Sequence, residues 1–480
     1  MTFKNSNNHS GAPSSDKNAN RTEAIGTGSI NSLLWTFSVP AIVGMLANAS
    51  YVIINRIFIG HAVGGIAIAA ITLTFPIFII FMALVMLIGV GATTLISIRL
   101  GQQKVGEAEA IMGNALSLLL LVPTVCCVCM YFYIEPLLII IGANESTLPY
   151  STDYLKVLMP SMILMSVSMG MNNIIRAEGN PVTAMLTQLF GGIVNIFFNY
   201  IFVMRLGWGV QGAALGSAMG QVFAVVWVMS YFFRPNHSYL KIRFRNLFIK
   251  INHVRGIVAI GFAPFIMQIT TSIQQFILNR SLVVYGGDVA LAAFGIVGTL
   301  AQLLVMPIVG LSQGAQPIIG YNYGARQYYR VRETLKKAVI YSTVLSVISW
   351  GAIRLFNGQM VGIFISNEPE TTVMATHALL TFFAVMFIVG FQVVCSSYFQ
   401  AIGKPLQATI LLLTRQVLFL IPLLLILPRY IGLEGVWISP PISDVAATLL
   451  TAVCIVWELW KSGMLYPENS KNNVGTLGKP

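Results

Sequence analysis

Charged side chains are scarce in this sequence of 480 residues. Asp, Glu, Lys and Arg together make up 9% of the chain, against about 25% in an ordinary soluble domain. Hydrophobic residues make up 56%, and the mean hydropathy is +0.78. A soluble protein needs polar residues to cover its surface, so this composition excludes that class. It indicates an integral membrane protein.

Acidic residues are scarcer than basic ones, since 16 Asp and Glu stand against 28 Lys and Arg, for a net charge of +12. In a soluble protein such an excess would suggest a nucleic-acid ligand. In a membrane protein basic residues mark the cytoplasmic loops instead. We therefore expect the lipid bilayer as a partner and no nucleic acid.

Cysteine is also rare, and its five positions all lie in apolar runs: Cys126, Cys127, Cys129, Cys395 and Cys454. None has a histidine or acidic neighbour at the spacing of metal ligands. We interpret them as small hydrophobic residues packed inside spans. The sequence thus predicts neither a disulfide framework nor a metal site.

Catalytic and nucleotide-binding motifs are missing. The sequence contains no G-x-x-x-x-G-K-[ST] loop, no HExxH and no GxSxG. Its five histidines lie in the tail, in a linker or near span ends. We expect a protein that is not an enzyme and carries no cofactor. Transport driven by an ion gradient needs only charged or polar groups inside the membrane.

What the sequence does contain is a series of apolar runs, each close to the roughly 20 residues that cross a bilayer as a helix. They predict an all-α integral membrane fold with twelve transmembrane helices, at 32–58, 66–98, 109–134, 151–176, 182–204, 211–233, 256–285, 290–320, 333–356, 373–400, 405–428 and 433–459. Most Lys and Arg residues fall in the loops that share a side with both termini. This bias predicts two cytoplasmic termini in a multi-pass membrane protein.

A repeat divides these spans into two sets of six. Asn55 and Arg56 of NRIFIG return 224 residues later as Asn279 and Arg280, and Pro40 returns as Pro264. RAEGNP (176–181) likewise returns as QAIGKP (400–405). Six spans restore the membrane orientation, so the repeat predicts two pseudo-symmetric six-helix lobes. Pro40 and Pro264 are the predicted kink points of spans 1 and 7.

The predicted domains follow from this division. They are a disordered cytoplasmic tail (1–30), an N-lobe with spans 1–6 (31–234), a basic cytoplasmic linker (235–253), a C-lobe with spans 7–12 (254–461) and a second cytoplasmic tail (462–480). The first tail is polar and rich in Asn and Ser, a composition typical of disorder.

Two opposite charges lie deep in the C-lobe spans. Arg415 is ten residues into span 11 and Asp444 eleven residues into span 12, which places both about 15 Å below the surface at 1.5 Å per residue. An intramembrane carboxylate is a functional hypothesis by default. Asp444 and Arg415 are therefore candidates for cation coupling, and a purely structural ion pair is an equal alternative. An ion pair that opens when a cation binds would combine the two.

Uncharged polar side chains in the spans outline a candidate substrate cavity: Asn48, Tyr51, Asn55, Asn172, Asn173, Gln188, Asn195 and Asn199 in the N-lobe, with Gln274 and Asn279 in the C-lobe. Buried amides need partners, so they should face a wet cavity or each other. Met162 and Met165 of span 4 are further candidates. Methionines at helical spacing are commonly packing residues, and they can also form an adaptable wall for varied apolar ligands.

Several segments resemble the multidrug and toxic compound extrusion (MATE) family: NRIFIG, RAEGNP, WGVQGAALGSAMGQ, GLSQGAQPIIGYNYGA and GVWISPPISD. The resemblance runs from about residue 30 to 460. It implies twelve spans in two lobes that form a V. It also implies export of drugs and organic cations in exchange for Na⁺ or H⁺, the only ions we expect the protein to need.

The sequence departs from this family at two polar positions. Relatives often carry an Asp at the position of Asn55 and an Asp-Pro at the position of Asn199-Tyr200. Amides in place of these acids leave Asp444 as the expected coupling group, with the N-lobe amides facing the drug or acting as weak cation ligands.

The resulting hypothesis is a monomeric multidrug efflux antiporter that works by alternating access. One alternative is a lipid-linked oligosaccharide flippase of the same superfamily, which would need a ring of cations facing the lumen. Another is a non-transporting membrane scaffold, for which deep charges such as Arg415 and Asp444 would have no use.

Overall fold

Every regular element that the structure describes is a helix, which confirms the predicted all-α fold. The computed structural model describes the backbone of residues 14–62, 65–141, 143, 145, 147–235, 237–364 and 369–461. Side chains are described for these residues except 14–20, 52–53, 56–57, 60–62, 65–70, 72 and 288. Helices suit a bilayer because each one pairs its own backbone N–H and C=O groups.

The first half of the chain forms eight α-helices and one π-helical segment. They are α1 (Ser14–Thr27), α2 (Ile30–Ala62), α3 (Gly65–Gly101), α4 (Val105–Tyr131), α5 (Ile134–Ile141), α6 (Leu148–Ala177), α7 (Pro181–Asn199), the π-helical segment Tyr200–Arg205 and α8 (Gly209–Phe233).

The second half begins after a linker that contains a short 3₁₀ helix (Phe244–Leu247). It comprises α9 (Ile251–Gly324), α10 (Tyr328–Gly362), α11 (Pro369–Phe382), α12 (Met386–Ala401), α13 (Pro405–Leu413), the π-helical segment Thr414–Leu420, α14 (Ile421–Ile431) and α15 (Leu433–Lys461). α9 contains two spans in series, because the backbone leaves the helical conformation at Gly287, with φ 64°. Glycine adopts such a positive φ without strain.

Eleven helical segments are long and apolar enough to cross a membrane, and the bent pair α11–α12, with an angle of 52°, makes up to twelve spans. This agrees with the predicted number. The first-span helix α2 and the seventh-span helix α9 both continue through their prolines, Pro40 and Pro264. Bending at these prolines remains a prediction about motion.

The two lobes pack together at close glycine contacts, and one reciprocal pair of these contacts reflects the repeat. A Cβ at Gly101 of α3 would overlap the Tyr321 carbonyl of α9, and one at Gly324 of α9 would overlap the Ile98 carbonyl of α3. Gly101 lies 223 positions before Gly324, and Ile98 lies 223 positions before Tyr321, so equivalent residues exchange roles between the two contacts. Such an exchange of roles is what a two-fold axis between the lobes produces.

A second crossing joins α3 to the first span of α9, whereas the crossing above involves the second span of α9. A Cβ at Gly91 of α3 would overlap the Ile257 carbonyl of α9, and one at Gly261 of α9 would overlap the Leu87 carbonyl of α3. Both crossings lie in the half of the bundle nearer to the loops 102–104 and 325–327, which we call the basal end. Backbones approach this closely only where the residue that faces the neighbouring carbonyl is a glycine.

The start of the chain contradicts one prediction. Residues 14–27, assigned to a disordered tail, form the helix α1. Its Thr22 and Ile25 side chains are buried against the rest of the protein. The polar composition concealed this helix because its stability comes from tertiary contacts. Residues 1–13 and 462–480, the remainder of the two predicted tails, lie outside the described part of the chain.

The linker is anchored to the N-lobe along much of its length. Asn114 of α4 donates to the carbonyls of Asn246 and Phe248 and accepts from the Lys250 backbone N–H at 2.6 Å. Glu109 of α4 pairs with Arg243 of the linker at 2.7 Å. These contacts satisfy backbone groups that an extended segment would otherwise leave without partners.

Candidate functional site

The deep charges of the C-lobe form an ion pair. Arg415 Nε donates to Asp444 Oδ1 at 2.7 Å, and Ser443 Oγ donates to the Arg415 backbone carbonyl at 2.6 Å. Arg415 lies in the π-helical segment Thr414–Leu420 of the eleventh span, and Asp444 lies in α15. A π-helical turn interrupts the regular backbone pairing and frequently occurs at functional sites.

The ion pair is partly exposed to solvent, and its polar atoms can form further hydrogen bonds. The Asp444 side chain is 10% exposed and that of Arg415 is 34% exposed. Among the described side chains, Arg415 is the single hydrogen-bond partner of the Asp444 carboxylate, and it contacts Oδ1 alone. Asp444 Oδ2 is therefore available to a cation or a proton, while the guanidinium has further N–H groups to offer. The two side chains lie together in the structure, as their depths in the sequence predicted. Their role in coupling remains a hypothesis.

Three asparagines of the N-lobe join α2 to α7. Asn55 Nδ2 of α2 donates to Asn195 Oδ1 of α7 at 2.7 Å. Asn199 Nδ2 donates to the same oxygen at 3.2 Å and to the Asn195 backbone carbonyl at 3.0 Å. Asn195 and Asn199 thus share a helix face, as their spacing predicted. The pairing of these amides with one another matches the alternative of interhelical hydrogen bonds.

Glycines of α8 make room for this asparagine cluster. A Cβ at Gly216 would lie 2.7 Å from Asn199 Cγ, and one at Gly220 would lie 2.8 Å from Asn195 Cβ. The glycines recur four residues apart and therefore line one face of α8. They bring α8 against the polar side of α7, where a larger residue would displace the amides.

The cluster nevertheless has an unused oxygen. Asn55 Oδ1 is buried and has no hydrogen-bond partner in the described structure, and the same holds for Asn172 Oδ1. Asn172 Nδ2 donates to the Ala184 carbonyl at 3.1 Å. A buried oxygen without a donor is costly unless water or a cation approaches it. These two oxygens are the features of the N-lobe that fit a cation or a polar ligand.

The other predicted cavity residues are dispersed. Asn48 is exposed, Tyr51 is half-buried against Gly192, and Gln188 of α7 lies over Gly44 of α2. Asn173 accepts from Arg176 at 2.8 Å. In the C-lobe, Asn279 accepts from Gln275 at 2.9 Å, and the buried Gln274 Oε1 is another oxygen without a partner in the described structure.

The methionines predicted as a ligand-facing wall pack in the protein core instead. Met162 is 1% exposed and Met165 is 9% exposed. Both belong to a hydrophobic cluster that includes Ile77 and Phe81 of α3. Their spacing is equally consistent with packing, and the rotation of α6 about its axis decides which side they face. The structure therefore corrects this prediction.

Sequence reasoning missed the polar contacts that join the lobes near the basal end. Arg176 Nη1 of α6 donates to Gln313 Oε1 of α9 at 2.7 Å. Gln316 Nε2 of α9 donates to Thr94 Oγ1 of α3 at 3.3 Å. RAEGNP and GLSQGAQPIIGYNYGA contain three of these residues, but the sequence does not show that the two segments meet across the lobe interface.

Comparison with known proteins shows the family. The profile of the MatE family matches residues 40–201 and again residues 264–426. The two matches begin 224 residues apart, the offset of the internal repeat. The chain belongs to the MATE family.

Curated MATE relatives share nearly the whole chain. The "Multidrug export protein MepA" of Staphylococcus haemolyticus (strain JCSC1435) is 29% identical over 431 residues, which cover 90% of this chain and 94% of the relative. The protein of the same name from Staphylococcus aureus (strain NCTC 8325 / PS 47) is 30% identical over 429 residues, with coverage of 88% and 92%. Both names describe a transporter.

Solved MATE structures share the fold. A structure of the MATE multidrug transporter DinF-BH, solved as a complex, is 35% identical, with a TM-score of 0.85 and coverage of 92% of this chain and 98% of that one. An outward-facing MATE transporter of the MOP superfamily has a TM-score of 0.87 at 24% identity, with the same coverage. The twelve-span, two-lobe architecture is therefore the MATE architecture.

One further acid of this MATE chain, Glu178, is buried where α6 ends. Its carboxylate accepts hydrogen bonds from Tyr231 Oη at 2.9 Å, Ser238 Oγ at 2.7 Å and the Leu240 backbone N–H at 3.1 Å. Burial raises the pKa of Glu178 from 4.5 to about 7, although these hydrogen bonds partly oppose the shift. Glu178 lies one residue beyond the fourth span, at the junction of α6, α8 and the linker.

Glu178 should make the stability of the protein pH-dependent. Because the folded protein holds this proton more tightly than the unfolded chain, its contribution is fully present below pH 4.5 and is lost as the pH rises through about 7. The complete shift in the pKa of Glu178 corresponds to about 3 kcal/mol of unfolding free energy. Thermal melts in detergent between about pH 5 and about pH 8 should show this decline. Glu178→Gln should remove this dependence of the melting temperature on pH, and the control Asp153→Asn should keep it. The same pH dependence in the wild type and both variants would contradict the role assigned to Glu178.

Proposed function

We propose that this MATE protein is a monomeric secondary antiporter of a bacterial cytoplasmic membrane, which exports organic cations and other drugs in exchange for Na⁺ or H⁺. Its membership of the family and the names of its relatives support drug export. The observation that carries the antiport proposal is the intramembrane pair of Arg415 and Asp444, in which Arg415 contacts only one oxygen of the carboxylate. The basic residues at the basal end support a cytoplasmic position for that end.

Coupling would work by competition for Asp444. With no coupling ion bound, Arg415 neutralises the carboxylate at 2.7 Å. A Na⁺ ion or a proton that enters at Oδ2 weakens the attraction of Asp444 for Arg415, because it reduces the negative charge that holds the guanidinium. Arg415 can then turn away. Since Ser443 binds the Arg415 backbone carbonyl, this change would be transmitted between α15 and the eleventh span.

Alternating access would be a rocking of the lobes about their glycine crossings. The crossings at Gly91, Gly101, Gly261 and Gly324 close the basal end in this structure. Opening that end requires these backbones to part, while the opposite ends of the lobes approach. Bending of α2 at Pro40 or of α9 at Pro264 would let one helix move independently of its lobe.

The N-lobe amides would form the polar part of the drug path. Asn55 and Asn172 each present a buried oxygen without a partner in the described structure, so they could accept a hydrogen bond from a drug or weakly bind a cation. Asn195 would position Asn55 because it accepts the hydrogen bond of that side chain.

Replacement of Asn195 by leucine should weaken both the fold and transport. It removes the side-chain acceptor of Asn55 and leaves that amide buried without its partner, at about 1–3 kcal/mol. Asn199 loses one acceptor but keeps the Asn195 backbone carbonyl. We expect a lower melting temperature in detergent and a several-fold decrease in dye export from cells. Ser50→Leu, at an exposed position of α2, serves as the matched control. Wild-type stability in Asn195→Leu would show that the asparagine cluster has no structural importance.

Purified protein in liposomes tests the function directly. A fluorescent cationic dye is loaded, and an inward Na⁺ gradient, an inward proton gradient or neither is imposed. We expect one of the two gradients to accelerate dye movement and Asp444→Asn to abolish that acceleration. Dye movement that ignores both gradients would contradict antiport. A complete lack of dye movement would instead favour a flippase or a scaffold. A flippase needs a cation to bind the phosphate of its lipid, and Arg415 is already paired with Asp444.

A further inference from the structure

The helix α1 lies at the basal end and contacts both lobes. On the N-lobe side, Thr22 Oγ1 donates to the Glu178 backbone carbonyl at 2.9 Å. Next to it, Gly179, with φ +94°, packs closely against α1, since a Cβ there would be 3.2 Å from the Arg21 carbonyl oxygen. The family profile begins at residue 40, so this helix precedes the segment on which the family assignment rests.

On the C-lobe side, two polar side chains cap the end of α1. Asn322 Nδ2 and Arg330 Nη2 each donate to the Ile25 carbonyl at 3.1 Å, and Arg330 Nη2 also donates to the Gly28 carbonyl at 2.7 Å. Carbonyls in the last turn of a helix have no partner within the helix. A guanidinium also stabilises the negative end of the helix dipole. The C-lobe therefore supplies the C-terminal cap of a helix that the N-lobe holds by its side.

Apolar packing reinforces this bridge. The Ile25 side chain is fully buried in a cluster that also contains Ile174 and Ile175 of α6 and Ile318 of α9. A Cβ at Gly26 would lie 2.9 Å from Tyr321 Cε1, so the helix backbone rests directly on that ring. The segment 21–28 thus contacts Glu178 and Gly179 in one lobe and Tyr321, Asn322 and Arg330 in the other.

We propose that α1 is a strap that holds the basal end closed and that must release one lobe before this end can open. This inference builds on the alternating-access mechanism proposed above. The strap parts from the N-lobe corner at Glu178 and stays with the C-lobe, where Asn322 and the charged Arg330 cap the last carbonyls of α1. It therefore biases the resting transporter towards the state with a closed base.

The test measures opening of the base without measuring transport. All five native cysteines are replaced by alanine, and a single cysteine is placed at Ser97, a buried position of α3 beside Gly320 of α9. A thiol reagent can reach it only when the lobes part. Ile25→Asp releases the strap and leaves both lobes unchanged, and Glu23→Gln on the exposed side of α1 is the matched control. A cysteine at Ser166, buried within α6, reports loosening of the N-lobe itself.

We expect Ile25→Asp to accelerate labelling at position 97 about tenfold relative to position 166, while Glu23→Gln leaves both rates unchanged. Arg330→Gln, which removes the C-lobe cap of α1, should also accelerate labelling at position 97, and the control Arg332→Gln should leave it unchanged. Equal changes at positions 97 and 166, or no change at either, would overturn the strap. If position 97 is never labelled, even when drug and ion gradients are applied, alternating access itself fails, and this result is distinct from failure of the strap.

Discussion

Asp444→Asn is expected to abolish ion-driven drug export while the protein remains in the membrane. Asparagine keeps the size of the side chain and can still accept a hydrogen bond from Arg415, but it cannot bind a proton or attract Na⁺ as a carboxylate does. If coupling depends on this carboxylate, export against a gradient should fall at least about tenfold, to the level of cells without the protein. Glu434→Gln, at the exposed beginning of the same helix, is the matched control.

A second variant separates coupling from structure. Removing one partner of an ion pair leaves the other charge uncompensated, so Asp444→Asn alone should also lower the melting temperature. Because Arg415 is 34% exposed, the cost should be less than the value of about 3–5 kcal/mol for a fully buried pair. The double variant Arg415→Gln, Asp444→Asn removes both charges, and its stability should recover. If the pair is only a structural link, export should recover too. We expect recovery of stability without recovery of export, and a double variant that exports like the wild type would end the coupling proposal.

Gly261→Val should have the second large effect, because it places a side chain where two backbones cross. The new Cβ would overlap the carbonyl of Leu87, which belongs to the other lobe and cannot rotate away as a side chain could. Overpacking of this kind costs about 1–3 kcal/mol, or more when backbone must shift. The strain is present only while the base is closed, so the variant should shift the population towards the open base and reduce export.

The reciprocal geometry of the crossings supplies a test. Gly91→Val overlaps the Ile257 carbonyl of the other lobe in the same manner, so the two variants should behave alike. Gly295→Val, on α9 but with open space around it, should resemble the wild type. Spin labels at Lys104 and Tyr328 would follow the separation of the lobes at the base. Wild-type distances in both Gly261→Val and Gly91→Val would contradict the assigned crossing.

Much of the fold could be predicted because it depends on local sequence. An apolar run of sufficient length must cross the bilayer wherever it occurs, and the predicted spans agree with the helices. The meeting of Arg415 with Asp444 was also predictable, since residues of opposite charge at the same depth on consecutive helices have few other partners in a membrane. The internal repeat predicted two lobes without any information on contacts.

The same repeat did not predict how each lobe uses its residues. Asn55 and Asn279 occupy equivalent positions, but Asn55 pairs with Asn195 whereas Asn279 accepts from Gln275. The positions equivalent to Asn195 and Asn199 are Phe419 and Leu423, so the second lobe cannot form the cluster. Met162 was misjudged for a related reason, since spacing defines a helix face but not which neighbour that face contacts.

The sequence by itself determined the membrane environment, the helical class, the number of spans and the duplication, because the bilayer imposes these on each segment separately. The tertiary structure decided which polar groups meet, and it alone revealed the docking of α1 between Glu178, Asn322 and Arg330. Each of these three residues lies more than a hundred positions from its partner in α1. Their contact depends on how helices rotate and pack against one another, which no local pattern of residues specifies.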